Sequence, residues 1–211
     1  MTKKILALAS LLALTLVGVA IAASGTATDG DDNIKGTDGN DTISAQSGND
    51  KVSGRNGNDI LNGDEGNDRV KGDAGEDTVN GGPGEDKLSG GKHDDEVNGD
   101  AGNDRLKGGK GDDDLDGGEG NDRLKGGRGA DELNGGNGAD RIDAKGDGRK
   151  SGNDKVNCGP PGDAVDHVRA DRNDEVSCGP EDKVKQKGRK QGDEDQAQRK
   201  AHRKARPRHA S

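Results

Sequence analysis

Residues 81–89 read Gly81-Gly82-Pro83-Gly84-Glu85-Asp86-Lys87-Leu88-Ser89, and residues 117–125 read Gly117-Gly118-Glu119-Gly120-Asn121-Asp122-Arg123-Leu124-Lys125. Both fit the pattern Gly-x-x-Gly-x-Asp-x-aliphatic-x. Written in rows of nine, residues 27–143 fill 13 such rows. The sixth column holds Asp in every row: Asp32, Asp41, Asp50, Asp59, Asp68, Asp77, Asp86, Asp95, Asp104, Asp113, Asp122, Asp131 and Asp140. The eighth column is Ile, Leu or Val throughout, from Ile34 and Ile43 to Leu133 and Ile142. The fourth column is Gly except at His93, and the first is Gly except at Ala27 and Ala45. A low-complexity linker does not hold its acids and aliphatics in fixed register over 13 rows. Disorder therefore fails as a full account of the chain.

Composition says what such a chain cannot be. It has 211 residues, 39 of them Gly, and no Phe, Tyr or Trp. Leu, Ile and Val together number 29, below the roughly one-fifth of residues at which disorder is suspected. An ordinary globular core is excluded, and so is a large apolar substrate pocket. The remaining possibility is a repeat fold held by something besides apolar burial.

Each row supplies a turn and a strand. Its first and fourth glycines bracket a tight turn that can take positive φ without a Cβ clash, and His93 is of a type that tolerates such φ. The last three positions make a short strand whose middle side chain points inward. Such a strand needs copies above, below and opposite. The seventh and ninth columns reveal how the copies are arranged. Odd rows carry Lys35, Lys51, Arg69, Lys71, Lys87, Arg105, Lys107, Arg123, Lys125 and Arg141 there, with Asp143 the only acid. In these two columns even rows carry Glu96, Asp114, Asp116 and Glu132 among Thr, Ser, Asn and Ile60, and no Lys or Arg. Charge thus repeats every 18 residues. The simplest geometry is a coil of two strands and two turns, with odd rows in one sheet, even rows in the other and the aliphatic columns between them.

That coil stacks Asp32 on Asp50 and Asp50 on Asp68 along one edge, about one strand spacing, ~4.8 Å, apart. Carboxylates so close repel unless a cation lies between them. Carboxylates and glycine-turn carbonyls are hard oxygen donors, which suit calcium better than magnesium, and the rows hold no Cys/His set for zinc. Pairing each row with the row two further on leaves 11 pairs among the 13 rows. The two pairs that use Asp95 stand apart, because its row has His93 for Gly.

The rows resemble the RTX, or haemolysin-type, calcium-binding nonapeptide G-G-x-G-x-D-x-U-x. The second column departs from it: Gly stands there in only 6 rows, and Asp64, Asp73 and Asp100 substitute in others. The resemblance implies an all-β fold, a right-handed parallel β-roll with Ca2+ between successive turns. It carries the family's metal-binding Asp onto the sixth-column residues named above, with carbonyl ligands from turns such as Gly81, Pro83 and Gly84. The resemblance implies the binding module and not the toxin, protease or lipase activities that often accompany it.

Outside the rows, Lys3 and Lys4 precede an uncharged run from Ile5 to Ala23, and Ala20-Ile21-Ala22 offers small residues for cleavage. Residues 1–22 are expected to be a secretory signal peptide, which leaves no stable membrane insertion once it is removed. The alternative is a membrane anchor, but no basic stop-transfer flank follows. In an exported chain Cys158 and Cys178 are expected to pair as a disulfide, the alternative being zinc with His167. Residues 144–180 read as degenerate repeats and a stapled cap, against a loose extension; Gly152-Asn153-Asp154-Lys155-Val156 and Asn173-Asp174-Glu175-Val176 keep the turn-and-strand signature. Residues 181–211 hold 11 Lys/Arg against 5 Asp/Glu, whereas residues 27–143 hold 14 against 30. The tail is expected to be disordered and basic, and a sharper reading makes it an anchor on an anionic wall polymer.

The functional expectation is a secreted calcium-ion-binding repeat protein whose folding is calcium-driven. The alternative is a calcium-stiffened structural or adhesive protein at the cell surface, binding an anionic cell-wall polymer or another copy of itself. No catalytic constellation stands out, so no enzyme is expected. Nucleic acid is not an expected partner, since no aromatic is present to stack a base. Ice binding would want a flat Thr-rich face, which the charged outer columns oppose.

Overall fold

The fold follows from a computed structural model that describes residues 27–146, 152–160 and 164–186. The expected signal peptide, 1–22, lies outside the described residues, as does the tail beyond Gln186.

The described residues form parallel strands in two sheets and no helix. One sheet holds β1 (Asn33–Lys35), β3 (Lys51–Asn56), β5 (Arg69–Ala74), β7 (Lys87–Lys92), β9 (Arg105–Lys110), β11 (Arg123–Arg128), β13 (Arg141–Asp143), β15 (His167–Ala170) and β17 (Lys183–Gln186), in that spatial order. The other holds β2 (Thr42–Ser44), β4 (Ile60–Asn62), β6 (Thr78–Pro83), β8 (Glu96–Ala101), β10 (Asp114–Asp116), β12 (Glu132–Asn134), β14 (Lys155–Asn157) and β16 (Glu175–Ser177). Odd rows thus build one sheet and even rows the other. The register is 18 residues per coil, as in Ile34 opposite Val52 and Leu115 opposite Leu133. The result is a parallel solenoid of about eight turns.

The core is thin and aliphatic. Every eighth-column residue from Ile34 to Ile142 is buried, and Val156 and Val168 extend the row. Their neighbours on either side face outward, which is the alternation a strand imposes.

Two local expectations need correction. Seven strands, β3, β5 to β9 and β11, run six residues and not three. The turns stack in the same register as the strands, so their backbones stay paired: Gly48 N donates to Glu65 O at 2.9 Å and Gly84 N to Ala101 O at 2.8 Å. Positive φ also falls on the second and fourth columns and not the first. Gln46, Arg55, Asp64, Asp73 and Asp100 take it in the second column, and His93 takes φ 73° in the fourth. At the first-column glycines it is space that is short: an added Cβ would crowd the carboxylate of the same row.

The strands that follow the periodic rows continue the same coil. β13 pairs with β15, β14 with β16 and β15 with β17, and Cys158 and Cys178 form a disulfide with Cα atoms 5.0 Å apart. Both sulfurs are thereby used, which removes the zinc alternative. Strand β17 carries the sheet to Gln186, into the stretch expected to be tail.

Candidate metal centre

All 13 predicted aspartates stand immediately before their strands, at the two edges of the solenoid. Asp32, on the first coil, is half-buried; the other twelve are at most 3% exposed. Parallel pairing at a two-row interval brings them into two columns, one from odd rows and one from even rows. Burying carboxylates without cationic partners is costly, so their hydrogen bonds have to be accounted for.

One oxygen of each is satisfied by the backbone. The N–H of Asp32 donates to Asp50 Oδ1 at 2.7 Å, Asp50 to Asp68 Oδ1 at 2.7 Å and Asp68 to Asp86 Oδ1 at 2.7 Å. The even column repeats this from Asp41 to Asp59 at 2.8 Å and Asp59 to Asp77 at 2.9 Å. Asp95 joins its column like the rest: Asp77 N donates to its Oδ1 at 3.0 Å, and its own N–H to Asp113 Oδ1 at 3.1 Å. His93 therefore does not break the ladder.

On the first coil the second oxygen is also satisfied, by Thr28 N at Asp32 and by Thr37 N at Asp41, both at 2.6 Å, but in ten of the later rows it has no such partner. Oδ2 is buried and without a hydrogen bond in Asp50, Asp59, Asp68, Asp77, Asp86, Asp95, Asp104, Asp113, Asp122 and Asp131. It points at a space bounded by the first glycine of its own row and a carbonyl of the next coil. A Cβ built on Gly117 would lie 2.6 Å from Asp122 Oδ2 and nearer still to Gly135 O. At Gly99 it would lie 2.8 Å from Asp104 Oδ2 and again nearer to a carbonyl of the next coil, Gly117 O. The missing side chain thus leaves a cradle flanked by an anionic oxygen and a carbonyl oxygen from successive coils. Ala45, fully buried, puts a methyl at this position in the row of Asp50.

The electrostatics of the bare columns are unfavourable. Burial pushes the carboxyls of Asp59, Asp68, Asp86, Asp122 and Asp131 up to about 6. It pushes those of Asp95, Asp104, Asp113 and Asp154 up to about 7. The hydrogen bond from the preceding coil works against this rise, and neighbouring carboxylates add to it: Asp113, Asp77 and Asp94 act on Asp95. The orphaned oxygens, the carbonyls facing them and the absence of nitrogen or sulfur make these cradles fit a hard divalent cation of the Ca2+ type.

The columns also extend further than the periodic rows. Asp131 N donates to Asp154 Oδ1 at 2.9 Å and Asp140 N to Asp166 Oδ1 at 2.7 Å. Asp154 and Asp166 pass the ladder on to Asp174 and Asp182. These four were not among the predicted ligands, because loops of unequal length hide them from a nine-residue count. A detectable signal remains in the triplet Asp-x-Val: Asp154-Lys155-Val156, Asp166-His167-Val168, Asp174-Glu175-Val176 and Asp182-Lys183-Val184.

A second ladder runs beside the first in the opposite sense. The N–H of Asn67 donates to Asn49 Oδ1 at 3.0 Å, and that of Asn121 to Asn103 Oδ1 at 2.9 Å. Fifth-column side chains therefore reach forward to the next coil, while sixth-column carboxylates reach back.

A family model described as the RTX calcium-binding nonapeptide repeat matches the chain in four copies, over residues 26–61, 53–88, 89–124 and 116–148. No curated protein matches it.

Proposed function

The chain belongs to the family of RTX calcium-binding nonapeptide repeat proteins, and from that premise we propose that it is a secreted protein whose folding is driven by calcium, with the sixth-column aspartates as ligands. It is a calcium-binding repeat protein by family, so Ca2+ is the implied ion. The observation that carries the finer reading is the set of buried, hydrogen-bond-orphaned Oδ2 atoms from Asp50 to Asp131. Each is a desolvated charge beside a carbonyl of the next coil, and a thin aliphatic core has little surplus with which to offset that cost. Neutralised, the columns cease to repel and the eighth-column side chains can meet; bare, they oppose the coil. Binding free energy is then folding free energy. The expected leader at residues 1–22 and the Cys158–Cys178 disulfide support export to an oxidising, calcium-rich space. The reading assigns no catalytic step.

Circular dichroism during a calcium titration of the mature chain, with the number of ions bound per chain, tests this. The β signal is expected to rise cooperatively with calcium and to disappear on chelation. A β signal indifferent to chelator would defeat the proposal.

A second reading is a calcium-stiffened adhesive protein at the cell surface. It is favoured by the column of exposed cations on the odd sheet, Lys51, Arg69, Lys87, Arg105, Arg123 and Arg141, which pair in register. Cell fractionation separates the two: an adhesin stays with the wall, and a free binder appears in the medium.

A further inference from the structure

From the outer face of the odd sheet we infer that the protein carries a binding groove for a linear acidic polysaccharide, laid across the strands along the solenoid axis. The inference deepens the adhesive reading above and rests on it.

Lys51, Arg69, Lys87, Arg105, Arg123 and Arg141 are all exposed and stand in strand-to-strand register, about one strand spacing, ~4.8 Å, apart. Two positions along each strand, Lys71, Lys107 and Lys125 form a second column on the same face. None of these nine cations makes an ion pair among the described residues; the pair Lys155–Glu132, at 3.5 Å, is on the other sheet. Like charges directly opposite one another in a sheet are destabilising. The fold nevertheless aligns six of them in one column. Between the columns runs a groove of about 480 Å3, bordered by Lys51, Arg69, Lys71, Lys87, Arg105 and Lys107. A polymer with regularly spaced anions, lying in that groove, would meet a cation at nearly every strand it crosses.

A second copy is a poorer occupant. The even sheet presents Thr42, Ile60, Thr78, Asn62 and Asn80 over its first strands, and its acids begin at Glu96. Its acidic part could answer only a portion of the cation columns. Nucleic acid is also disfavoured, because the chain has no aromatic residue to stack a base.

The test is retention of the full-length mature protein on immobilised heparin, a linear polysaccharide bearing carboxylate and sulfate, in saturating calcium. The variant R105Q/R123Q/R141Q is compared with R55Q/K92Q/K110Q, which removes the same charge from the far ends of β3, β7 and β9. The face variant is expected to lose about tenfold in affinity while the strand-end variant keeps it, and added salt is expected to weaken the wild type. Equal retention of wild type and face variant overturns the inference, and so does stronger competition by double-stranded DNA than by free heparin. Concentration-dependent self-association that the face variant abolishes, with no heparin retention, overturns it in favour of a second copy. Cell fractionation keeps the two ideas apart. A protein that stays with the wall but ignores heparin sinks this inference alone, whereas one that binds heparin yet appears in the medium sinks the adhesive reading.

Discussion

The backbone N–H of Asp131 donates to Asp154 Oδ1 at 2.9 Å across 23 residues of chain, where every earlier rung of the ladder spans 18. The coil therefore survives the loss of its sequence period. What it preserves is the stacking of one acidic turn on another, with the intervening loop free to lengthen. Asp154 is 1% exposed and its carboxyl is pushed up to about 7, like those of the periodic rows.

These raised carboxyls fix the sign of the pH response. Asp95, Asp104, Asp113 and Asp154 rise from 3.8 to about 7 in the folded, metal-free chain. The folded form then binds more protons than the unfolded form between those values. The stability that these four groups contribute is fully present below about pH 4 and is lost as pH rises through about 7. With chelator present, the β signal is expected to grow as pH falls from 8 to 4. With calcium the order reverses, because the ion needs ionised carboxylates; the calcium midpoint should move to higher concentration below about pH 6. Circular dichroism on the two arms checks both signs.

Filling a cradle should cost an ion. Gly117→Ala would place a methyl 2.6 Å from Asp122 Oδ2, at a position with no positive φ. Loss of one bound calcium and a fall of about 1–3 kcal/mol in the calcium-loaded form are expected. Ala45→Gly is the converse change, and opening that cradle should add calcium. Counting ions by equilibrium dialysis distinguishes this steric role from a conformational one.

A gain should come from relieving a left-handed residue. His93 holds φ 73° where the other rows have Gly. His93→Gly is expected to raise the midpoint of thermal unfolding in calcium, by up to about 1 kcal/mol in stability. An unchanged or lowered midpoint would mean that the imidazole contributes contacts outweighing the strain.

The disulfide should act on the cap more than on the rows. Cys158 and Cys178 are 20 residues apart in sequence and lie beside β14 and β16. Replacing both with Ser is expected to cost roughly 3 kcal/mol. Hydrogen exchange should quicken first in β14 to β16, while β5 to β11 stay protected in calcium.

The sequence makes the coil legible because its period is written three times over. Asp86, Leu88 and the charge at Lys87 recur on related beats, and an 18-residue turn is the shortest that satisfies all three. The reason for first-column glycine is not legible that way. Gly36 looks like a turn residue, yet it is held by the proximity of Asp41 Oδ2 and Gly54 O, a contact between coils that no single row contains. The second column is obscured for a related reason. Asp64 and Asp73 tolerate positive φ while their carboxylates accept hydrogen bonds from Ser44 and Ser53 on the coil before. Asp166 and Asp182 were hidden by arithmetic alone: the Asp-x-Val unit persists, but the distance between units does not.

The strict alternation of strands between the two sheets has a consequence for how such a chain can change length. Excising nine residues would reverse the parity of everything downstream. Arg123 and Arg141 would join the acidic side, and Asp114 and Glu132 would cross to the other. Excising eighteen would shorten the molecule by one coil and leave both faces intact. Repeats can be gained or lost without scrambling the surface only in pairs.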